Sequence, residues 1–298
     1  MKFIFATLVF LSACSGYQNS PKDFSTINGS LESSAAPTNV PTTNTDLDTK
    51  SFDETFQKFL DKYVVILQGK FDTRIKYKAY AADLAAKDEE TLELRSEIMN
   101  YFGSDAYESL NLDEKIALMT NAYNFFVIDL IASKYPVKQI FDVADKVFDL
   151  NFINFSGQKM SLNYLEKTKL DKILRTKLGN PNGKLTDARL HFALICGALG
   201  CPILLDKVYK AQTLEEQLTY ITKKAFDLPR VIKDQGASHY SLIKLFDWYS
   251  DDFKNHSSID LPSVQSHKDF ISNYFPGSFN RSKSLKVDIE YNWDLNQI

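Results

Sequence analysis

The spacing of apolar residues along the chain predicts a mostly helical protein. Large apolar side chains recur every three or four positions from residue 52 to residue 67, which is the pattern of an amphipathic helix. A second helix is predicted from about residue 80 to residue 102, and a third from residue 113 to residue 134. The third is apolar on most of its faces, so we expect it to be buried in the middle of the fold.

The second half of the chain mixes helical and strand patterns. Further helices are predicted over residues 161–178, 213–228 and 241–254. Alternating apolar positions, or short apolar runs between turn residues, predict strands over residues 148–155, 189–195 and 285–291. The predicted fold class is therefore α+β, a helix-rich single domain packed around a small β-sheet.

The N-terminal residues follow a different pattern, which is typical of export. Lys2 supplies a positive charge, an apolar run occupies residues 3–11, and two small residues precede Cys14. These are the parts of a secretory signal, and the apolar run is too short to cross a hydrocarbon layer ~30 Å thick. Leu11-Ser12-Ala13-Cys14 resembles the bacterial lipobox, which implies cleavage before Cys14 and attachment of lipid to its sulfur.

The residues that follow Cys14 lack any helical or alternating period. Of the 36 residues from 15 to 50, 19 are Ser, Thr, Asn or Pro, so this stretch has too few apolar side chains to fold by burying them. We predict a signal peptide over residues 1–13, a lipidated cysteine with a disordered tether over residues 14–50, and a globular domain over residues 51–298.

Charge and composition limit the classes of partner. The chain has 35 Lys+Arg against 38 Asp+Glu, a balance that gives no reason to expect a nucleic acid. After residue 11 no apolar run approaches the length of a membrane span. The expected partners are the membrane, through the lipid on Cys14, and an unknown protein or small-molecule ligand. No cofactor is indicated.

His191, Cys196 and Cys201 are the one reactive group in the sequence, and four interpretations stay open. An exported protein favours a disulfide between Cys196 and Cys201. Alternatively, a cysteine is a nucleophile with His191 as its base; on a strand His191 and Cys196 would point to opposite faces, which leaves Cys201 as the better nucleophile. A metal site built from the three fits no common zinc spacing, so we predict no metal. Finally, all three can be ordinary core residues.

Four other residues are candidates for binding: Asn121, Asn124, Glu166 and Arg189. The two asparagines lie three positions apart on one face of the buried helix, where their amides bond neighbouring backbone or form the floor of a polar pocket. Arg189 can pair with Asp187 or hold a substrate carboxylate. The remaining histidines have polar neighbours, and we predict that they are solvated; they are His239, His256 and His267.

Several segments resemble, in order, a bacterial and plant family known as domain of unknown function 547. The motifs are Asn121-Ala122-Tyr123-Asn124, Gly157-Gln158-Lys159-Met160-Ser161-Leu162 with Glu166, Asp187-Ala188-Arg189-Leu190-His191-Phe192-Ala193-Leu194 with Cys196 and Cys201-Pro202, Phe246-Asp247-Trp248-Tyr249 with Asp252-Phe253, and Tyr291-Asn292-Trp293-Asp294-Leu295-Asn296. The resemblance spans residues 52–298. The chain departs from the family at Lys167, where His usually follows the glutamate, at Ala188 in place of Pro, and at Gly197-Ala198 in place of Ala-Ser. Lys167 argues against a catalytic Glu–His pair.

The family has no settled biochemical role, so the resemblance implies a fold unit and leaves open whether the protein is an enzyme. We expect a lipid-anchored envelope protein whose domain binds or organises a partner or ligand at the membrane surface. The alternative is a cysteine-dependent hydrolase or transferase that uses Cys201 and His191. Ser15 follows Cys14 where Asp would retain the protein at the inner membrane of enteric bacteria, which favours the outer membrane, at its periplasmic or surface face.

Overall fold

Helices supply most of the buried side chains. The structure is a computed structural model that describes residues 49–67, 71–259, 261 and 263–298. Residues Leu47–Ile298 form one compact unit. The predicted signal peptide, Cys14 and the tether up to residue 48 lie outside the described residues.

The first part of the domain consists of long helices and one strand pair. In chain order these are α1 (Thr49–Tyr63), β1 (Val64–Ile66), β2 (Thr73–Ile75), α2 (Tyr77–Ala86), α3 (Glu89–Gly103) and α4 (Leu112–Ser133). The single helix predicted over residues 80–102 is thus two helices. Lys87 adopts a left-handed conformation (φ 56°) that ends α2, and the Asp88 carboxylate accepts a hydrogen bond from the Thr91 backbone N–H to begin α3.

Helix α4 is the centre of the larger core. Asn111 and Glu114 form a capping box at its start, and every residue from Ile116 to Ala132 is buried. Among the described residues it is the one helix long and apolar enough to cross a membrane, but 94% of its most apolar window is buried inside the protein. It is therefore the buried core helix that its apolar faces predict.

Short elements make up the second part. They are β3 (Ile153–Phe155), β4 (Gln158–Met160), α5 (Leu162–Tyr164), a π-helix (Leu165–Leu170), α6 (Asp171–Lys177), α7 (Leu190–Ala193), α8 (Leu214–Phe226), β5 (Ile232–Asp234), β6 (His239–Leu242), α9 (Leu245–Trp248), α10 (Ser250–Lys254), α11 (His267–Tyr274) and β7 (Ser284–Val287). Single turns of 3₁₀-helix lie at Asp105–Ser109, Ile140–Asp142, Val147–Asp149 and Ala211–Thr213.

The strands of the described residues form three small sheets. Strands β1 and β2 pair antiparallel, as do β3 and β4. In the third sheet β6 lies in the middle, antiparallel to β5 and parallel to β7. The predicted α+β class is confirmed, although the strands are divided among three sheets where a single small one was expected.

Two groups of buried side chains hold the domain together. The larger surrounds α4 and includes aromatic rings from α1, such as Phe56 and Phe59, which meet Phe125 edge to face. The smaller is built from rings on the C-terminal helices, with Phe192 of α7 against Phe226 and Phe270. Because burial of one such side chain contributes ~1.5–3 kcal/mol, both groups stabilise the positions of the short elements between them.

The strand predicted over residues 189–195 is wrong, and the difference matters for the reactive residues. Residues Leu190–Ala193 form the one-turn helix α7, and the chain becomes extended only at Leu194. A short apolar run fits a buried strand and a buried helical turn equally well, so periodicity does not separate them. The inference that His191 and Cys196 point to opposite faces of a strand therefore falls away.

Other boundaries also differ from the predicted ones. The helix predicted over residues 241–254 begins as strand β6 and becomes helical only at Leu245. The α-helix predicted over residues 161–178 contains the π-helical turn Leu165–Leu170. The strand predicted over residues 148–155 starts at Ile153, and the last one ends at Val287.

Candidate functional site

Cys196 and Cys201 are joined by a disulfide bond. The Cys196 side chain is half-buried, whereas Cys201 is 2% exposed. While the bond stands, neither sulfur is a thiolate, so neither is a nucleophile or a metal ligand. The prediction that Cys201 is a nucleophile with His191 as its base therefore concerns only the reduced protein, and it stays a prediction.

The loop closed by the disulfide, residues 196–201, holds the last residues of the chain. The Leu199 and Gly200 backbone N–H groups donate to the carbonyls of Asp294 and Asn292, and the Asn296 N–H donates to the Gly197 carbonyl. We call residues 291–298 the C-terminal segment. A side chain at Gly200 would lie 2.9 Å from the Asn292 backbone, so this close approach requires glycine.

Tyr291, at the start of the C-terminal segment, faces the disulfide. Its hydroxyl oxygen lies 3.1 Å from Cys196 Sγ and 3.2 Å from Cys201 Sγ. The Cys196 backbone N–H also donates to Cys201 Sγ at 3.0 Å. Beside these residues is a polar cavity of about 260 Å³, which Tyr291 and Gly200 line together with Arg74, Arg230 and Asn292.

His191 is paired with a carboxylate that the sequence analysis did not single out. Its Nε2 lies 2.9 Å from Asp252 Oδ2, and its ring stacks on Tyr249 with the centroids 3.7 Å apart. Burial raises the pKa of the Asp252 carboxyl, but the hydrogen bond and charge interaction with His191, together with the charge of Arg175, hold that pKa below the usual value. The ionised carboxylate only accepts hydrogen bonds, so Nε2 carries a proton and, in the neutral ring, Nδ1 is the acceptor.

Glu166 joins the same group through Tyr249. The Tyr249 hydroxyl donates to Glu166 Oε1 at 2.9 Å, and the Glu166 side chain is buried in the π-helix. Arg175 completes the group, because its guanidinium lies 4.0 Å from Asp252. We call Glu166, Arg175, His191, Tyr249 and Asp252 the histidine cluster. π-Helical turns are frequent at functional sites, and here the turn presents Glu166 to Tyr249.

Asn121 and Asn124 use both ends of their amides on backbone. Asn121 donates to the Tyr209 carbonyl and accepts from the Tyr209 N–H, at 2.8 and 2.9 Å. Asn124 donates to the Ala193 carbonyl and accepts from the Ile195 N–H, at 2.9 and 3.0 Å. These contacts support the interpretation that the two amides bond neighbouring backbone. Each side chain bonds backbone groups of an irregular segment, which have no partner in a strand or helix.

Arg189 is 1% exposed and lies in a buried charge network. Its guanidinium contacts Asp187 and Glu215, each at 2.5 Å, and Nη1 donates to Thr219 at 2.8 Å. The expected pairing of Arg189 with Asp187 is therefore present. Two carboxylates and a hydroxyl already bond this buried guanidinium, which supports a structural role over capture of a substrate carboxylate.

The prediction that His256 is solvated is wrong. The residue is 0% exposed; its Nδ1 accepts from the Ala188 N–H at 3.2 Å and its Nε2 donates to the Tyr274 hydroxyl at 2.8 Å. Burial lowers its pKa from 6.5 to about 4, although Asp187 opposes that shift. Its polar neighbours in sequence suggested an exposed ring. The backbone of His256, however, forms an isolated bridge with Thr186, and the residue lies inside the fold. His239 and His267 are half-buried.

The sequence indicated four of the residues in these sites, but not the side chains that bond them and fix their positions. The four are His191, Cys196, Cys201 and Glu166. Asp252, Tyr249 and Tyr291 are their partners. All three lie within motifs that carry the family resemblance, and this was the sequence feature that could have identified them. In the part of the chain that the structure describes, no three His, Cys, Asp or Glu side chains are placed to hold a metal ion.

Comparison with known proteins gives one finding. Searches of curated proteins and of solved structures found no match to the chain. A family model described as "Protein of unknown function, DUF547" matches residues 107–225. This range contains Asn121, Glu166, His191 and both disulfide cysteines; the motifs at residues 246–253 and 291–296 lie beyond it. Over these residues the chain is similar to the DUF547 family, whose function is unknown.

Proposed function

We propose that this chain is a lipid-anchored protein of the bacterial envelope whose domain binds a ligand or partner at the histidine cluster. The Leu11-Ser12-Ala13-Cys14 tetrad and the polar stretch after it support the anchor. As a flexible coil, 36 residues reach about 30–36 Å, so the domain works close to the membrane surface. Ser15 favours the outer membrane over the inner one.

The anchor is tested by changing Cys14. Expressed from the full sequence in a bacterial host fed with labelled palmitate, the wild-type protein is expected to carry label and to sediment with membranes. Cys14→Ala is expected to carry none and to appear in the soluble fraction, because one or more acyl chains supply the membrane affinity. Cys201→Ala is the matched control and is expected to keep the label. Label on Cys14→Ala would contradict the proposal.

One observation carries the binding proposal: the 2.9 Å contact between His191 Nε2 and Asp252. It leaves Nδ1, which has no protein partner among the described residues, as an acceptor beside the Tyr249 ring and the Glu166 carboxylate. A stacked imidazole with a fixed acceptor suits a ligand that presents a hydroxyl or N–H group. The negative charges of Glu166 and Asp252 outnumber the positive charge of Arg175, so the cluster favours neutral or cationic ligands.

The binding proposal is tested by screening hydroxylated and aminated small compounds for a rise in melting temperature. A compound at 100 times its dissociation constant stabilises the folded state by roughly 2.7 kcal/mol. His191→Asn is expected to lose at least tenfold in affinity, because the ring that stacks on Tyr249 and its bond to Asp252 are removed. His239→Asn, outside the cluster, is expected to keep wild-type affinity. If no compound distinguishes wild type from His191→Asn, the cluster is not the binding site.

A further inference from the structure

The two sulfurs of the disulfide have different surroundings. Cys201 is buried, with two hydrogen-bond donors directed at its Sγ: the Cys196 N–H at 3.0 Å and the Tyr291 hydroxyl at 3.2 Å. Cys196 is half-buried, and the Tyr291 hydroxyl is its one described polar neighbour. The Cys196 N–H therefore favours negative charge on Cys201 over Cys196, and it acts against the burial that disfavours charge there.

The difference between the two sulfurs comes from hydrogen bonding and not from the nearby arginine charge. Arg230 donates from Nε to the Cys201 carbonyl at 3.1 Å, which places a cation near that residue. Its two terminal nitrogens, however, bond both oxygens of Asp72 at 2.9 and 2.8 Å, so its charge is already paired. The Tyr291 hydroxyl lies near both sulfurs, so the hydrogen bond from the Cys196 N–H is the interaction that distinguishes them.

The cavity of about 260 Å³ lies beside this pair, since its wall includes Gly200 and Tyr291, whose hydroxyl contacts both sulfurs. Its volume lies just below the range for ligand pockets, which is roughly 300–1,000 Å³. It therefore suits a small molecule better than a protein segment. Its wall includes two arginines, a glutamate and an asparagine, which supply polar contacts for a polar thiol: Arg74, Arg230, Glu290 and Asn292.

We propose that Cys196–Cys201 is a redox-active disulfide that exchanges with a small polar thiol bound in this cavity. The thiolate of that thiol attacks Cys196 Sγ, the Cys196–Cys201 bond breaks, and its electron pair leaves on Cys201 as a thiolate held by Tyr291 and the Cys196 N–H. A second thiol then attacks the mixed disulfide and releases Cys196. Two thiols are oxidised to one disulfide, the protein gains two electrons, and the two thiol protons end on the two cysteines.

The proposal goes beyond ligand binding at the histidine cluster and does not require it. It assigns one direction to the exchange, with attack at Cys196 and departure of Cys201. The hydrogen bond from Tyr291 acts on the leaving group, so its loss slows reduction without removing the sulfur that is attacked. Tyr291 is in this sense a positioning residue for the exchange.

The test uses glutathione as the probe and the full chain purified in detergent. Native protein is incubated with glutathione, quenched with acid, and mapped by peptide mass spectrometry. Glutathione is expected on Cys196, and subsequent iodoacetamide is expected to label Cys201. Tyr291→Phe is expected to slow reduction roughly threefold to tenfold, because one hydrogen bond to a charged sulfur is lost. Tyr220→Phe, whose ring packs on Phe71, is the control and is expected to reduce at the wild-type rate.

Several outcomes would overturn the proposal. One is glutathione attached to Cys201, and another is a Tyr291→Phe rate equal to that of wild type. Reduction that occurs only in denaturant would show that the bond is purely structural. If Tyr291→Phe fails to fold, the reduced wild-type protein decides: its Cys201 is expected to react with iodoacetamide with an apparent pKa below the ordinary value of about 8.5. A pKa at or above that value contradicts the stabilised leaving group.

Discussion

The Arg189 guanidinium lies at the centre of a network of buried charges between α7 and α8. Asp187 and Glu215 bond it from two sides, and Lys177 contacts Glu215 at 2.5 Å. Interactions with Arg189 hold the pKa of the Asp187 carboxyl below its usual value in spite of burial, so the carboxylate stays ionised. Removing one member of a buried pair leaves the other unpaired, at a cost of about 3–5 kcal/mol. Intact pairing in this network therefore contributes a large share of the stability of the folded protein.

His256 adds a pH dependence to that network. Burial lowers its pKa to about 4 against 6.5 in the unfolded chain, so between these values the unfolded chain binds a proton that the folded protein does not. The free energy of unfolding is therefore expected to fall as the pH drops from about 6.5 towards about 4, by up to ~1.4 kcal/mol per pH unit. Urea unfolding at a series of pH values measures this slope.

The histidine is identified as the cause by His256→Gln. This variant loses the hydrogen bonds with Ala188 and Tyr274, so we expect lower stability at neutral pH. Its stability is expected to depend less steeply on pH across the same window, because the titrating group is gone. The control His239→Gln removes a histidine outside the network and is expected to keep the wild-type slope. Equal slopes for wild type and His256→Gln would contradict the assignment.

At the scale of elements, the C-terminal segment is held by three parts of the fold that are distant in sequence. It pairs with the disulfide loop, its Leu295 N–H donates to the Lys138 carbonyl, and Gln297 bridges to Ile75 of β2. Trp293 packs on Phe141 and on Trp248, which precedes Tyr249 of the histidine cluster. The segment thereby connects the disulfide with the helices that carry the cluster.

Gly200→Ala tests this connection. The added Cβ would lie 2.9 Å from the backbone N and O of Asn292, and backbone cannot move aside as a side chain tip can. We expect a loss of about 1–3 kcal/mol in the free energy of unfolding. Hydrogen exchange is expected to become faster at residues 292–296 in particular, because the segment must shift to make room.

Gly103→Ala is the matched control for that substitution. Its Cβ would meet only the Asn154 side chain amide, at 3.4 Å, so we expect a change in stability within about 0.5 kcal/mol. Faster exchange at the C-terminal segment in Gly103→Ala, or unchanged exchange there in Gly200→Ala, would show that the close approach at Gly200 does not hold the segment.

Elements with a long and regular apolar pattern could be predicted, and short ones could not. Helix α4 was found because its apolar character extends over more than five turns, and α1 because its aromatic residues repeat at helical spacing. Helix α7 has only four residues, about one helical turn. No repeat of apolar positions can be recognised over so short a stretch. The π-helical turn at Glu166 has no sequence signature at all, since it depends on how the chain packs against α4 and α6.

At the scale of the whole molecule, the candidate residues could be named from the sequence but their partners could not. His191 and Asp252 are 61 positions apart, and Cys201 and Tyr291 are 90 apart. No pattern of polar and apolar residues specifies contacts at such separations. The disulfide was predictable because its two cysteines are near in sequence and export favours it. The contact of both sulfurs with Tyr291 was not, since that residue is distant in sequence.

The bridge between Ile75 and Gln297 joins positions 222 residues apart. A contact of this kind closes a loop that spans nearly the entire domain, and its entropy cost is met only after the intervening helices have packed. We therefore expect the C-terminal segment to dock last during folding and to detach first when the fold is weakened. The cavity beside the disulfide, which needs Tyr291 and Asn292, would then exist only in completed molecules, so thiol exchange would report on the last step of maturation.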